Sequence, residues 1–477
     1  MKKLLLTLAV LGTAFSLQAK IVLPAPFGDN MVLQQQSEAR FWGTATPGKK
    51  VTIHPSWSTR PVTTTADGDG RWQAAVPTPE AGGPYTIELS DGERLTLREV
   101  LIGEVWLCSG QSNMEMPMRG FNNQPVTDCT EVIVGAKAST PIRICTVKRA
   151  TARTPQETCS AQWLQNTPEA VAGTSATAYY FARNLQQALD VPVGIIITCW
   201  GGTAVEAWMD RPTLSAFREF DLSFLDGTDP IERPQSRPCM LYNAMIAPLV
   251  PYTIRGFLWY QGEANRLKPA QYQQLMPAFV RMLREQWRQG ELPFYYVQIA
   301  PYSYGNSDLT GGSALLREAQ MHNLKEIPAS GMAVTMDIGS ENCIHPDQKA
   351  QVGQRLAWLA LVNDYGMKGF EPNAPIYESM SVEGNRAFLT FRTGNSTLAP
   401  RSREFTGFEI AGADRIFHPA QAKIDSRKNR LIVFSDEVQK PVAVRYAFRN
   451  YAEASLFNTF GIPAPSFRTD DWELPVK

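Results

Sequence analysis

The sequence predicts an α/β protein built on a parallel sheet, with a β-rich region on either side. Three observations carry that prediction. Strand-length apolar runs recur through the middle of the chain at 105–108, 142–147, 193–199, 254–260, 294–299 and 332–336. Stretches with helical spacing lie between several of them. The segments before and after this middle part carry short, turn-punctuated runs instead. Apolar runs without alternation belong to strands covered on both faces, as in parallel sheets sheltered by helices.

Taken in order, residues 1–19 read as an export signal. Lys2 and Lys3 precede an apolar run at 4–15, and Ser16-Leu17-Gln18-Ala19 offers a cleavage site. The run is shorter than the roughly 20 residues of a membrane span. The expected location is therefore the periplasm or the exterior. Residues 20–96 form a predicted β-sandwich-like domain with strands near 31–33, 39–42 and 50–54. Pro47-Gly48 and Asp67-Gly68-Asp69-Gly70 supply turns. Residues 97–367 form the predicted catalytic domain. There Ala178, Phe181, Ala182, Leu185 and Leu189 recur at helical spacing, as do Tyr272, Leu275, Met276, Phe279 and Leu283. Residues 368–477 return to β patterning. Val442, Val444, Tyr446 and Phe448 alternate with less apolar neighbours, and further strands are expected at 431–434 and 385–391.

Length and charge narrow the function. A chain of 477 residues is long enough for two or three domains. Its 46 basic residues balance 46 acidic ones, so no basic field recruits nucleic acid or an anionic membrane. The cysteine count, seven, is odd, so at least one thiol has no partner within the chain. Cys108 and Cys199 lie in apolar runs and read as buried thiols. Cys129, Cys145, Cys159, Cys239 and Cys343 leave room for a disulfide that sequence cannot pair. Neither Cys-x-x-Cys nor His-Glu-x-x-His occurs, so neither a metal nor another cofactor is expected.

In parallel sheets the active site lies beyond the carboxyl ends of the strands. Three predicted strand ends carry unusual residues there: Ser109-Gly110-Gln111-Ser112-Asn113-Met114, Trp200-Gly201-Gly202-Thr203 and Gln261-Gly262-Glu263-Ala264-Asn265. Each combines a glycine, which admits close backbone approach, with a small or polar donor. Any one of them reads equally as an ordinary turn or helix cap. Their occurrence at successive strand ends is what points to ester hydrolysis, which needs a nucleophile, a base and oxyanion donors. Of the four histidines, His54 and His418 lie in the β-rich flanks and His322 in a helical stretch. His345 follows the run at 332–336 by a short loop, and Pro346 is predicted to open a helix. His345 is thus the candidate base.

The blocks Gly110-Gln-Ser-Asn-Met114, Trp200-Gly-Gly202, Trp259-Tyr-Gln-Gly-Glu263 and Ile344-His-Pro346 with Lys349 resemble the sialate O-acetylesterase family. The resemblance extends to residues 27–34 and 461–472. That family belongs to the SGNH (GDSL-like) hydrolases, whose catalytic domain is flavodoxin-like. The resemblance implies Ser112 as nucleophile and His345 as general base. It also implies oxyanion donors from the Ser112 N–H, from Gly201-Gly202, and from the side chain of Gln261, with Asn265 as second choice. SGNH enzymes commonly place an aspartate three residues before the histidine. Asn342 stands there, so the orienting group is expected to be Glu341, with Asp337 or a backbone carbonyl near Asn342 as alternatives. Trp208 is a candidate for stacking on sugar, while Glu115 and Glu263 are expected to hold loops. The expected substrate is an O-acetylated sugar or glycan, foremost a 9-O-acetylated sialic acid. An acetylated plant polysaccharide such as xylan or pectin, or a catalytically silent carbohydrate-binding role, are the competing readings.

Overall fold

The structure, a computed structural model, describes residues 21–305, 311–401 and 404–473. The export segment at 1–19 lies outside the described residues. At the centre stand six parallel strands: β1 (Arg94–Gly110), β2 (Ile142–Thr146), β3 (Val193–Cys199), β4 (Gly256–Tyr260), β5 (Phe294–Val297) and β6 (Ser330–Ala333). Their order across the sheet is β6-β5-β4-β1-β3-β2, and Trp163–Gln165 closes the β2 edge antiparallel.

The continuous apolar runs have a simple cause: successive side chains of a strand enter opposite faces, and both faces are buried. Along β1, Val105 and Leu107 join one core while Trp106 and Cys108 join the other. One face is covered by helices α2 (Ala176–Leu189) and α5 (Lys349–Asn363), the other by α3 (Pro269–Trp287) and α4 (Gly312–Glu326). A Cβ on Gly353 would stand 2.5 Å from that of Tyr180, so glycine there lets α5 lie close against α2. The helix after His345 starts at Lys349; Pro346 precedes it in the loop rather than opening it.

Chain order and sheet order together locate the crevice. From β1 the sheet extends on one side to β3 and on the other to β4. Connections that leave a strand in opposite directions open a gap beyond its carboxyl end, where ligands of such sheets bind. Ser112 begins the short helix α1 (Ser112–Glu115) at that end of β1.

The flanking regions are β-rich, as expected. Val32–Gln34 pairs parallel, and Gly82–Ser90 antiparallel, with the first half of β1. Lys50–Pro55 pairs with Val62–Thr65 and Gly82–Ser90, while Glu38–Thr44 and Arg71–Pro77 form a separate pair. The passage at 96/97 therefore runs inside one strand. Towards the carboxyl terminus, one four-stranded antiparallel sheet contains Arg386–Arg392 and Arg430–Phe434, and another contains Phe408–Ala411 and Ala443–Tyr446. All seven cysteines are free thiols, with Cys108 and Cys199 buried. No helix among the described residues is long and apolar enough to cross a membrane.

Candidate active site

The loops after β1, β3 and β4 meet, and their contacts explain their composition. Gly110 adopts φ +144°, and a Cβ there would stand 2.2 Å from the Tyr260 carbonyl oxygen, so only glycine lets β1 and β4 end side by side. Gln111 N–H donates to that carbonyl at 3.0 Å. The buried Gln111 amide oxygen accepts from Gly262 N–H at 3.3 Å and Ala264 N–H at 3.2 Å, holding the β4 loop. On the other side, Trp200 N–H donates to Gly110 O, and Glu115 Oε2 accepts from Gly201 N–H at 2.8 Å. The other Glu115 oxygen pairs with Arg149 at 2.5 Å. Glu115 thus holds the β3 loop.

Ser112 occupies the first position of α1, where a backbone N–H has no partner within the helix. Neither the Ser112 N–H nor the Gly202 N–H donates to an acceptor among the described residues. Both remain available to a ligand beside the Ser112 hydroxyl.

His345 is brought to this point by the buried side chain of Asn113. Its Nδ2 donates to Glu263 Oε1 at 2.6 Å and to the Ile344 carbonyl at 3.0 Å, and its Oδ1 accepts from Lys349 Nζ at 2.6 Å. The residue after Ser112 is therefore bonded directly to the residue before His345. A tight turn from the other side completes the setting. Phe121 and Gln124 exchange two backbone hydrogen bonds of 3.0 Å around Asn122-Asn123. Phe121 places its ring edge-to-face with the imidazole at 5.2 Å, and Gln124 Oε1 lies 2.7 Å from His345 Nδ1. With that oxygen as acceptor, Nδ1 carries the proton and Nε2 keeps the lone pair that a base needs. No Ser112–His345 hydrogen bond forms among the described residues; such bonds often close only when substrate is bound.

Electrostatics favour a neutral imidazole. Burial, aided by the nearby Lys349 ammonium, lowers the His345 pKa to about 4. Burial also lowers Lys349 to about 7, against the opposing pull of Glu263, Cys343 and Asp347. The buried Glu263 carboxyl is raised, chiefly by desolvation. Two ionisable groups thus sit in the interior and share one amide, Asn113, as their bridge.

Several expectations need correction. Glu341 is exposed, and Nδ1 of His345 meets Gln124 instead of an acid. Asp337 is bound on both oxygens by Arg355, at 2.7 Å each. Trp208 is fully buried, its indole N–H donating to Thr203 Oγ1, so it packs in the core and offers no face to a sugar. Gln261 is fully buried too, and its Nε2 donates to Thr203 O and Asn265 Oδ1, which leaves it no proton for an oxyanion. Asn265, in turn, accepts from Val205 N–H and donates to Glu206, bracing the β3 loop. Gly201 N–H is held by Glu115, whereas Gly202 N–H has no acceptor among the described residues. Gln124 carried no signal in the sequence, since it sits in an irregular segment with no motif. Gln111, Asn113 and Lys349 lay within the quoted blocks without an assigned role.

Residues 102–361, more than half of the chain, match the model of the carbohydrate esterase, sialic acid-specific acetylesterase family. The chain belongs to that family. It is accordingly a carboxylic ester hydrolase. Sialate O-acetylesterase of Pongo abelii is 29% identical over 92% of this chain and 90% of its own length, and that of Homo sapiens is 28% identical over the same shares. A carbohydrate acetylesterase from Xanthomonas citri has a crystal structure that superposes with a TM-score of 0.86. It is 35% identical and covers 95% of this chain and 100% of its own. Family membership thus extends over the flanking β regions as well as the central sheet.

Proposed function

We propose that this acetylesterase removes O-acetyl groups from sialic acids, at the 9-O position, through an acyl-enzyme on Ser112. The observation that carries the reading is the Asn113 bridge, which fastens the Ser112 turn to the His345 loop at the carboxyl end of β1. His345 Nε2 takes the Ser112 hydroxyl proton as Oγ attacks the acetyl carbonyl. The Ser112 and Gly202 N–H groups receive the oxyanion, a contribution that in comparable sites is worth about 10²–10³ in turnover per donor. His345 then protonates the departing sugar oxygen and activates water to release acetate. Gln124 fills the orienting place with a neutral amide, so the unit is a serine–histidine dyad. A carboxylate is not needed to keep this imidazole in its working tautomer.

Without β2, the strands read β6-β5-β4-β1-β3, which in chain order is 2-1-3-4-5. That order supports a flavodoxin-like SGNH domain at 97–367, with β2 added at one edge. The export signal supports action in the periplasm or outside the cell.

A second reading keeps the mechanism and changes the sugar. The Xanthomonas citri acetylesterase is more similar to this chain than the sialate enzymes are, and its name specifies carbohydrate alone. The cation beside the site, Arg149, is already paired with Glu115, which weakens its hold on a sialic acid carboxylate. Acetate release from 9-O-acetylated sialoglycan and from acetylated xylan, with Ser112→Ala in parallel, separates the two. Preference for the sialoglycan supports the leading reading, and preference for xylan replaces its substrate. Acetate release that persists in Ser112→Ala contradicts both.

A further inference from the structure

A groove outside this crevice has the chemistry of a sugar site. A hollow of about 770 Å³ lies between the Glu38–Thr44/Arg71–Pro77 strand pair and segments near Glu157 and Pro251. A second, of about 320 Å³, shares Trp42, Gln73 and Pro251 with it, so the two run on as one elongated depression. We propose that this groove is a second carbohydrate-binding site, holding a stretch of uncharged polysaccharide apart from the catalytic crevice.

Aromatic, polar and charged features agree on that occupant. Trp42 is half-buried and common to both hollows, and Phe27 fixes its ring edge-to-face at 4.6 Å. A held aromatic face of this kind packs against the C–H face of a pyranose at little entropic cost. Exposed Gln73, Gln156 and Thr65 border it with amide and hydroxyl groups suited to sugar hydroxyls. Trp72 also lines the groove at 4% exposure, and its indole N–H has no acceptor among the described residues. Arg71 pairs with Glu157 at 2.5 Å, and Asp67 adds another negative charge. The lining therefore carries no positive excess, which favours a neutral chain over a sialylated or otherwise anionic one.

Position separates the groove from the chemistry. None of the residues lining the groove belongs to the loops after β1, β3 and β4 that carry Ser112, Gly202 and Glu263. A ligand that touched both places would be a polymer, and binding at the groove would raise its local concentration at Ser112. The inference rests on the esterase reading only for this tethering benefit; binding itself needs no catalysis.

Calorimetric titration of the full-length Ser112→Ala protein with xylohexaose, cellohexaose and sialyllactose tests the site. The expected result is binding of a neutral hexasaccharide, weakened about tenfold by adding Trp42→Ala. Gln73→Ala, at an exposed side chain, should also weaken it without lowering Tm. Under the second, polysaccharide reading of the substrate, Trp42→Ala in the Ser112-intact protein should slow acetate release from acetylated xylan but not from a small aryl acetate. Failure to bind either hexasaccharide, binding indifferent to both substitutions, or a preference for sialyllactose would overturn the proposal. Loss of the esterase reading would show instead as Ser112-independent acetate release, with hexasaccharide binding intact.

Discussion

The two ends of β1 show one strand under two sets of rules. From Arg94 to Glu99 exposed residues recur and the neighbour is antiparallel, as in a sheet with one face to water. From Val100 to Gly110 every residue is buried, and from Trp106 onward parallel strands lie on both sides. Apolar packing is enough at the first end. At the second, polar groups are buried, and each requires a partner. Asn113, Glu263 and Lys349 find theirs in one another, and that requirement draws three loops together around Ser112. The contrast separates stability from catalysis along a single element.

Substitutions at the two ends should divide accordingly. The largest effect on activity is expected for Ser112→Ala, a fall on the order of 10³–10⁶ in kcat with Tm unchanged. His345→Ala should approach it, because the two residues act as a unit. At the opposite end, Leu89→Ala opens a cavity at a fully buried side chain facing the start of β1. It should cost about 2–5 kcal/mol in denaturant unfolding and leave kcat of the folded protein alone. A matching loss of kcat would erase the distinction between the ends.

Gly110→Ala should affect both properties. Its Cβ would meet the Tyr260 carbonyl in a backbone conformation that alanine avoids, so a loss of roughly 2 kcal/mol is expected together with reduced turnover. Gln124→Ala removes one neutral hydrogen bond from His345, an effect of about tenfold in kcat. The pH profile gives the finest test. His345 must be neutral to act, and its pKa is lowered to about 4, so kcat/KM should hold through pH 5 and fall as pH drops through about 4. Lys349→Met removes one of the two groups of causes, and the acid limb should move upward, while burial keeps it below the ordinary histidine value of about 6.5. An unmoved limb would mean that Lys349 does not act on His345.

The sequence made the sheet readable because the central strands carry continuous apolar runs, and the loops after β1, β3 and β4 carry glycine. Ser112 and His345 became the candidates through where they stand relative to those runs. What it concealed were contacts between distant segments. Gln124 lies 221 residues from His345 and shares no periodic pattern with it. Glu341 is close to His345 in sequence, yet the loop leaves it exposed. Trp208 was a candidate because aromatic faces stack on sugars, but a 3₁₀ turn at Val205–Trp208 carries its ring inward. Gln261 and Asn265 stand at the right strand end with the right chemistry. Only their partners reveal that both amide protons of Gln261 are engaged and that Asn265 braces the β3 loop.

The account turns on a covalent acetyl-serine. Rapid acid quenching during turnover of an aryl acetate, followed by peptide mass spectrometry, reads it directly. The account predicts an acetyl adduct on the peptide containing Ser112, absent in Ser112→Ala and strongly reduced in His345→Ala, because the base is needed to form the adduct as well as to hydrolyse it. An adduct on another residue, or turnover that continues in Ser112→Ala, would contradict it.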